Sequence, residues 1–243
     1  MATHIHTEND LDAALTALEK LDPRFGPVMA KAGRPPLRRR PGGFAGLAAV
    51  VVSQQLSTAS AAAIWGRLAA AFDPFEPKAI IQARAPRLAR LGLSRPKIKA
   101  LKEIARAIAS GKLALATLAD IPADQAHAAL TAVHGIGPWT ADIYLLASLG
   151  HADAWPAGDL ALQEAARLGF SLKSRPTTKE MGPLAESWRP FRAVAARVLW
   201  SYYRSVKGRE GAPVVQKIPP KATSKKISSK KKISPKKRGA NGG

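Results

Sequence analysis

The chain has 243 residues, of which 46% are hydrophobic, and its formal net charge is +21. This length can bury one substantial core or two small helical lobes. The absence of cysteine excludes disulfides, iron–sulfur clusters and zinc sites with cysteine ligands. The five histidines show no i, i+4 pairing beside an acid, so we expect no metal-dependent chemistry.

The longest apolar run, residues 45–52, is far shorter than the ~20 residues that span a bilayer. The N-terminus also lacks the basic-then-apolar order of a secretory signal. We therefore expect a soluble intracellular protein without a membrane partner. Alanine is abundant and strand formers occur singly or in short runs, which favours an all-α fold.

The first predicted helix, 7–21, is amphipathic, with Thr7 as its cap. A Pro/Gly loop follows at 34–43 and contains three consecutive arginines, Arg38 to Arg40. These arginines are either part of a solvated connector or contacts to phosphate, and three in a row cannot all face one surface.

An apolar helix is predicted over 44–55, and Ser57 caps the next helix, which ends at Phe72. Between them lie Gln54, Gln55 and Leu56, an unusual choice for packing, although a structural role stays open. Further helices are predicted near 77–83 and 86–91, and at 94–111, 159–168, 178–186 and 190–205. Two more flank a glycine turn, the first opened by Pro122 and the second by Pro138.

The segment His134-Gly135-Ile136-Gly137-Pro138-Trp139-Thr140 is a turn between two helices. Its glycines permit positive φ and close approach, and Pro138 suits the first turn of a helix whose free N–H groups attract anions. The pattern indicates a phosphate-binding hairpin, and the alternative is an ordinary αα-hairpin.

A Pro/Gly loop then leads to Asp159 at the start of a helix. The aspartate is either an N-cap or a carboxylate held at the mouth of a cleft, and one residue can do both. In the last helix Trp200 lies off the predicted core stripe beside Arg197 and Arg204. It either stacks on a base or packs beneath a second lobe.

From Gly211 onward the chain carries ten of the 38 basic residues and none of the 17 acidic ones, which leaves +11 on residues 1–210. We therefore predict one folded domain, 1–210, and a disordered lysine-rich tail, 211–243. The positive net charge of residues 1–210 indicates a polyanionic partner. The tail is either an electrostatic tether to nucleic acid or a solubilising segment.

Taken together, these segments resemble the helix-hairpin-helix DNA glycosylase superfamily, and within it the DNA-3-methyladenine glycosylase II branch. The resemblance rests on residues 53–57, the hairpin 135–141, the segment 156–163 and the segment 188–192 with Trp200. It spans about residues 8–206 and implies a two-lobe all-α fold with a cleft between the lobes.

The resemblance also implies a role for each matching residue. Asp159 falls on the catalytic aspartate, and Trp139, Trp200 and Tyr144 fall at or beside the base pocket. Gln55 and Leu56 match the residues at the duplex where the base leaves. The remaining matches form the DNA-binding hairpin, which can hold a monovalent cation on backbone carbonyls: His134, Gly135, Ile136, Gly137 and Thr140.

Two departures narrow the chemistry. Relatives that also cleave the DNA strand have a lysine where this chain has Trp139, so a Schiff-base step lacks its nucleophile. Some members have a pocket aromatic where this chain has Ile143. No second carboxylate is evident beyond Asp142 and Asp153, which favours bases that leave readily.

The sequence thus predicts a monofunctional DNA glycosylase that flips alkylated purines out of duplex DNA and hydrolyses the N-glycosidic bond. No cofactor is required, and we expect a cytoplasmic monomer associated with the nucleoid, or a nuclear one in a eukaryote. Two alternatives remain: a noncatalytic DNA-binding or architectural protein, and a glycosylase for deaminated or oxidised bases.

Overall fold

The structure, a computed structural model, describes residues 4–211 and is helical throughout this range. The predicted tail at 211–243 lies outside the described residues apart from Gly211. The helices are α1 Glu8–Leu21, α2 Phe25–Ala32, α3 Gly43–Ser53, α4 Thr58–Ala71, α5 Pro77–Gln82, α6 Ala85–Arg90, α7 Arg95–Ala109, α8 Ala123–Thr131, α9 Pro138–Tyr144, α10 Leu160–Gly169, α11 Thr178–Glu186 and α12 Arg192–Lys207.

The helices form two packed groups, so the predicted all-α, two-lobe fold is confirmed. In one group α12 packs against α1, α2 and α10, which brings the two ends of the described chain together. In the other, α7 packs against α5 and α6, and α8 packs against α9. Helix α3 contacts α4, α7 and α9. None of the helices in residues 4–211 is long and apolar enough to cross a membrane.

Two helix caps predicted from the sequence, Thr7 and Ser57, are confirmed. Thr7 accepts a hydrogen bond from the backbone N–H of Asp10, whose carboxylate accepts one from the Thr7 N–H in return. Ser57 likewise caps α4 by accepting from the Ser60 N–H at 3.2 Å. Such caps satisfy N–H groups that have no partner within the helix.

Two helical segments differ from the prediction. Helix α2 was not predicted, because its eight residues include Gly26 and Pro27 and are too few to show a period. It forms because Phe25 is buried edge-on against Phe170 and Trp188. The second hairpin helix changes to π-helix over Leu145–Leu149, a geometry that apolar spacing does not reveal.

Helix α12 is buried on every side from Arg192 to Tyr202. Trp200, predicted to point away from the core, is therefore only 5% exposed. This burial supports the interpretation that Trp200 packs beneath a second lobe, and the interpretation that it stacks on a base stays a prediction. Arg197 beside it is also buried, and its guanidinium donates to the carbonyl oxygens of Leu37 and Leu146.

Gly46 and Gly66 form a matched pair of helical glycines for testing the core. A Cβ at Gly46 in α3 would overlap the carbonyl oxygen of Pro41, whereas a Cβ at the exposed Gly66 in α4 meets nothing within 4 Å. Gly46→Ala should lower the free energy of unfolding by about 1–3 kcal/mol. Gly66→Ala should raise it by up to about 1 kcal/mol through helix propensity. Urea denaturation of both variants measures these free energies of unfolding. Equal changes in the two variants would contradict the close contact between Gly46 and Pro41.

Candidate functional site

Asp159 lies directly before α10 and is the N-cap of that helix. Its Oδ1 accepts hydrogen bonds from the backbone N–H groups of Ala161 and Leu162, at 3.0 and 3.1 Å. The preceding loop is braced by Gln163, whose side-chain amide donates to the Ala157 carbonyl at 3.0 Å. The N-cap role is therefore real, and it places a carboxylate at the positive end of a helix.

Two tryptophans, the indole pair Trp139 and Trp200, donate to the same carboxylate. The indole Nε1 of Trp139 lies 2.9 Å from Asp159 Oδ2. That of Trp200 lies 3.3 Å from Oδ1. Trp139 comes from the first turn of α9 and Trp200 from the middle of α12, so residues far apart in the chain meet at one carboxyl group.

The environment of this carboxyl group has two opposing effects. Asp159 is 8% exposed, and burial raises its pKa above the ordinary range of an aspartate. The four N–H donors act against this and lower the pKa, because each is satisfied best by a negative oxygen. The donors also hold both oxygens in fixed directions, so the carboxylate is oriented before any ligand binds.

Asp159 opens onto a cleft of about 570 Å³. This volume lies in the range of about 300–1,000 Å³ that is usual for pockets holding small ligands. The cleft is lined by Gln54, Gln55, Gly137, Pro138, Trp139, Thr140, Gly158, Asp159, Leu160, Ala161 and Gly211. Its walls thus come from the α3–α4 turn, the hairpin and the start of α10.

The hairpin joins α8 to α9 at one side of this cleft. Gly135 has φ +95° and packs so closely on α7 that a Cβ would lie 2.7 Å from the Cβ of Ala100. Ile136 is buried in the core and His134 is exposed. The turn therefore presents backbone and one imidazole, rather than a hydrophobic side chain, to the outside.

The profile described as HhH-GPD superfamily base excision DNA repair protein matches residues 48–190, which include the turn, the hairpin and Asp159. The chain belongs to the HhH-GPD superfamily.

Curated relatives point to one branch of this superfamily. The alkylbase DNA glycosidase-like protein mag2 of Schizosaccharomyces pombe is 26% identical over 200 residues, which are 79% of this chain and 94% of that protein. DNA-3-methyladenine glycosylase 1 of the same yeast is 32% identical over 154 residues, which are 62% of this chain and 68% of that protein.

Two solved structures of similar sequence identity share this fold. The S. pombe 3-methyladenine DNA glycosylase Mag1, in complex with abasic DNA, has a TM-score of 0.69 and 28% identity, over 80% of this chain and 97% of that one. A DNA-3-methyladenine glycosidase from Bacillus halodurans has a TM-score of 0.72 and 27% identity, over 82% and 93% of the two chains. The resemblance noted in the sequence is therefore confirmed.

Several of the predicted site residues of this HhH-GPD chain meet around the cleft. Asp159 contacts both indoles, and Gln55 and Gly137 line the same cleft. Leu56 follows Gln55 and is 38% exposed. His134 and Gly135 line a neighbouring basic hollow with Arg95, Lys97 and Lys99.

Tyr144 and Thr140 differ from their predicted roles. Tyr144 is fully buried and its hydroxyl donates to the Gly43 carbonyl at 3.4 Å, so it lies in the core and does not line the cleft. Thr140 is 1% exposed, and its hydroxyl accepts a hydrogen bond from the Gln54 side chain at 2.5 Å. The hydroxyl is therefore occupied within the protein rather than presented to DNA.

Ile143, at the position of the family's pocket aromatic, is also fully buried. It lines a small cavity beside Trp200 whose volume, about 30 Å³, has room for water and not for a base. Of these two cavities, the cleft in front of Asp159 is the one with enough volume for a base.

The loop arginines contact the protein itself. Arg38 pairs with Glu210 at 2.9 Å, and Arg39 donates to the carbonyls of Ile5 and Ser148 at 3.0 and 3.2 Å. Arg40 is buried. These contacts support neither the solvated connector nor the phosphate contacts that the sequence suggested, because the three side chains are held by the protein itself.

Asp142 and Asp153, the candidates for a second acid, do not line the cleft. Asp153 forms ion pairs with Arg189 and Arg192, at 2.5 and 2.8 Å. Asp142 is buried, with His127 at 3.7 Å. Within residues 4–211 no group of three or more His, Cys, Asp or Glu is arranged to hold a metal ion.

Sequence reasoning gave no role to Lys97. It is the third residue of α7, and its ammonium group bonds two backbone carbonyls near the cleft at 2.7 and 2.8 Å. The only local signal is a lysine just inside a helix start, and its partners are more than 40 residues away, so the contact was not predictable.

The burial of Asp142 generates a prediction about stability and pH. Burial raises the pKa of this carboxyl to about 8, so the folded chain binds its proton more tightly than the unfolded chain does. Its contribution to stability is complete at low pH and is lost as pH rises toward 8. Asp142→Asn, which keeps an acceptor and cannot ionise, should therefore gain about 4 kcal/mol relative to wild type between about pH 5 and about pH 8, because each pH unit in this window contributes about 1.4 kcal/mol.

Urea denaturation at the two pH values measures this difference, with the exposed Asp120→Asn as the matched control. A gap between Asp142→Asn and wild type that does not change with pH would contradict the prediction.

Proposed function

We propose that this HhH-GPD protein is a monofunctional DNA glycosylase that removes alkylated purines, of the 3-methyladenine and 7-methylguanine type, from duplex DNA. The observation that carries the proposal is the carboxyl group of Asp159, held by four N–H donors at the wall of a base-sized cleft. A buried carboxylate is costly to maintain, and a protein that only binds DNA has no use for it.

Glycosidic cleavage needs a negative charge at this place. As the bond between C1′ and the base nitrogen breaks, its electron pair leaves with the base and positive charge develops on the sugar. The Asp159 carboxylate stabilises that charge. Water then adds to C1′, and its proton passes to the carboxylate or to solvent. Because its oxygens are already oriented, the carboxylate needs no reorganisation during the reaction.

The chemistry of the leaving base decides whether a second, acidic group is needed beside the carboxylate. An N-alkylated purine is cationic and leaves as a neutral base, so it needs no acid to protonate it. Among the described residues that line the cleft, Asp159 is the one carboxylate, and no lysine is present to form a Schiff base. Trp139 lines the cleft and offers an electron-rich ring to a cationic base. Trp200 donates a hydrogen bond to the Asp159 carboxylate.

Access to the bond requires that the nucleotide leaves the duplex, which costs a few kcal/mol and less for damaged bases. The exposed Leu56, following Gln55 at the cleft, is placed to fill the space left in the stack. The hairpin at His134–Gly137 would contact a phosphate of the DNA backbone next to Leu56.

The hairpin also fits a monovalent cation. In the described part of the chain no hydrogen bond is made to the carbonyls of His134, Gly135 and Ile136, and carbonyl oxygens are the donors that such an ion accepts. His134, Gly135 and Ile136 would hold the ion, which would add positive charge beside a phosphate.

We propose that the protein acts as a monomer on chromosomal DNA, in the nucleoid or, in a eukaryote, in the nucleus.

Asp159→Asn tests the proposal directly. Asparagine is as good an N-cap as aspartate, so the fold should be retained. Its side chain carries no charge and turns a donor toward one of the two indoles. Release of free base from methylated duplex DNA in a single turnover should fall by at least about 100-fold.

The exposed Asp120→Asn is the matched control and should release bases at the wild-type rate. Absence of base release by the wild-type protein, or undiminished release by Asp159→Asn, would refute the proposal. Release of deaminated or oxidised bases instead would identify the alternative substrate class.

A second prediction concerns the ten basic residues of the tail. If the tail is an electrostatic tether, a chain ending at Gly211 should bind duplex DNA with a weaker dependence on salt concentration, because fewer counterions are released. Base release at saturating protein should stay unchanged. Fluorescence anisotropy over a salt series measures the slope, and loss of base release on truncation would show that the tail is more than a tether.

A further inference from the structure

The turn between α3 and α4, Gln54–Leu56, carries the exposed leucine at the mouth of the cleft. We refer to it as the wedge turn. Gln55 has φ +54°, a left-handed conformation that is strained for a residue with a side chain. A three-residue turn of this kind deforms easily unless other groups hold it. Insertion of Leu56 into a base stack would exert a force on this turn.

Lys97 holds the wedge turn from the α7 side. Its Nζ donates to the carbonyl oxygens of Val52 and Gln54, at 2.7 and 2.8 Å. The last carbonyls of a helix have no partners within it, and a cation at that end is favourable to the helix dipole. One ammonium group thus fixes the end of α3 and the first residue of the wedge turn together.

Gln54 provides a second link, from the turn to the hairpin helix. Its Nε2 donates to the hydroxyl of Thr140 at 2.5 Å, and Thr140 directly follows Trp139. The wedge turn is therefore connected through Thr140 to the residue that donates to Asp159. Lys97 and Thr140 hold the Gln54 backbone and side chain from two different helices.

The position of Lys97 argues against a phosphate contact. Its ammonium is directed at two backbone carbonyls, and the partial burial of the side chain lowers its pKa through desolvation. Arg95 and Lys99, which flank it in the sequence, are exposed in the same hollow and are better placed for phosphate. Two of the three N–H donors of Lys97 are already used by backbone carbonyls, so Lys97 is less available to a phosphate than Arg95 and Lys99 are.

We propose that Lys97 is a positioning residue for base extrusion. It keeps the wedge turn rigid, so that the contact between Leu56 and the duplex moves the nucleotide rather than deforming the turn. This inference rests on the proposed glycosylase function. Its effect should therefore be greatest where the target base is paired and must be forced out, and smallest where the pairing partner is missing.

The experiment compares Lys97→Met with Lys97→Arg, which keeps a charged donor, and with Lys102→Met as the matched control. Lys102 lies in the same helix and its Nζ likewise donates to a backbone carbonyl, that of Ile81 at 3.1 Å, but this carbonyl belongs to α5 and not to the wedge turn. Each variant is assayed for single-turnover release of a methylated purine in two duplexes. In one the lesion is paired, and in the other it lies opposite an abasic site.

Lys97→Met should release the paired base about tenfold more slowly than wild type, as expected for loss of hydrogen bonds from a charged donor. Opposite the abasic site the loss should be within about threefold, and Lys97→Arg should recover most of the paired rate. Lys102→Met should match wild type in both duplexes. The fluorescence of 2-aminopurine beside the lesion should rise less with Lys97→Met than with wild type when the protein binds.

Equal slowing in both duplexes, or slowing by Lys102→Met to the same extent, would assign Lys97 a purely structural role and overturn the inference. A wild-type rate for Lys97→Met would overturn it as well. If the wild-type protein releases no base, the proposed function fails. The 2-aminopurine signal then still compares extrusion by wild type and Lys97→Met.

Discussion

The structure of the site depends on one requirement, that a carboxylate removed from water needs a donor for each oxygen. Asp159 meets it with two backbone N–H groups of its own helix and the indole pair. Because the indoles belong to α9 and α12, these helices and the start of α10 must meet at one point. The cleft lies where these three elements meet, and four donors fix the direction of its carboxylate oxygens.

The loop that delivers Asp159 is itself held by partly buried ion pairs. Arg192 at the start of α12 binds Asp153 with its Nε at 2.8 Å, and donates to the Asp153 carbonyl at 2.9 Å. Arg189 reinforces the same carboxylate. Since Arg197 also bonds carbonyls inside the protein, several of the arginines that make this chain basic are internal braces. The net charge alone therefore overstates the surface available to DNA.

Predictions from local pattern succeeded where the physical cause is local. Thr7, Ser57 and Asp159 cap helices, because a cap involves only residues two or three positions away. The fate of Tyr144 and Thr140 could not be found in this way. Whether a side chain faces the cleft or the core depends on which helices pack beside it, and a spacing pattern leaves that undecided.

The sequence by itself determined the all-α fold, the hairpin, the exposed turn with Leu56 and the carboxylate at the start of α10, since each is encoded by neighbouring residues. Only the tertiary structure decided that Trp200 is buried and donates to Asp159, that Thr140 and Lys97 hold the wedge turn, and that Asp142 and Asp153 stay out of the cleft. The physical reason is that hydrogen bonds between distant residues are set by the packing of helices, and no local preference specifies their partners.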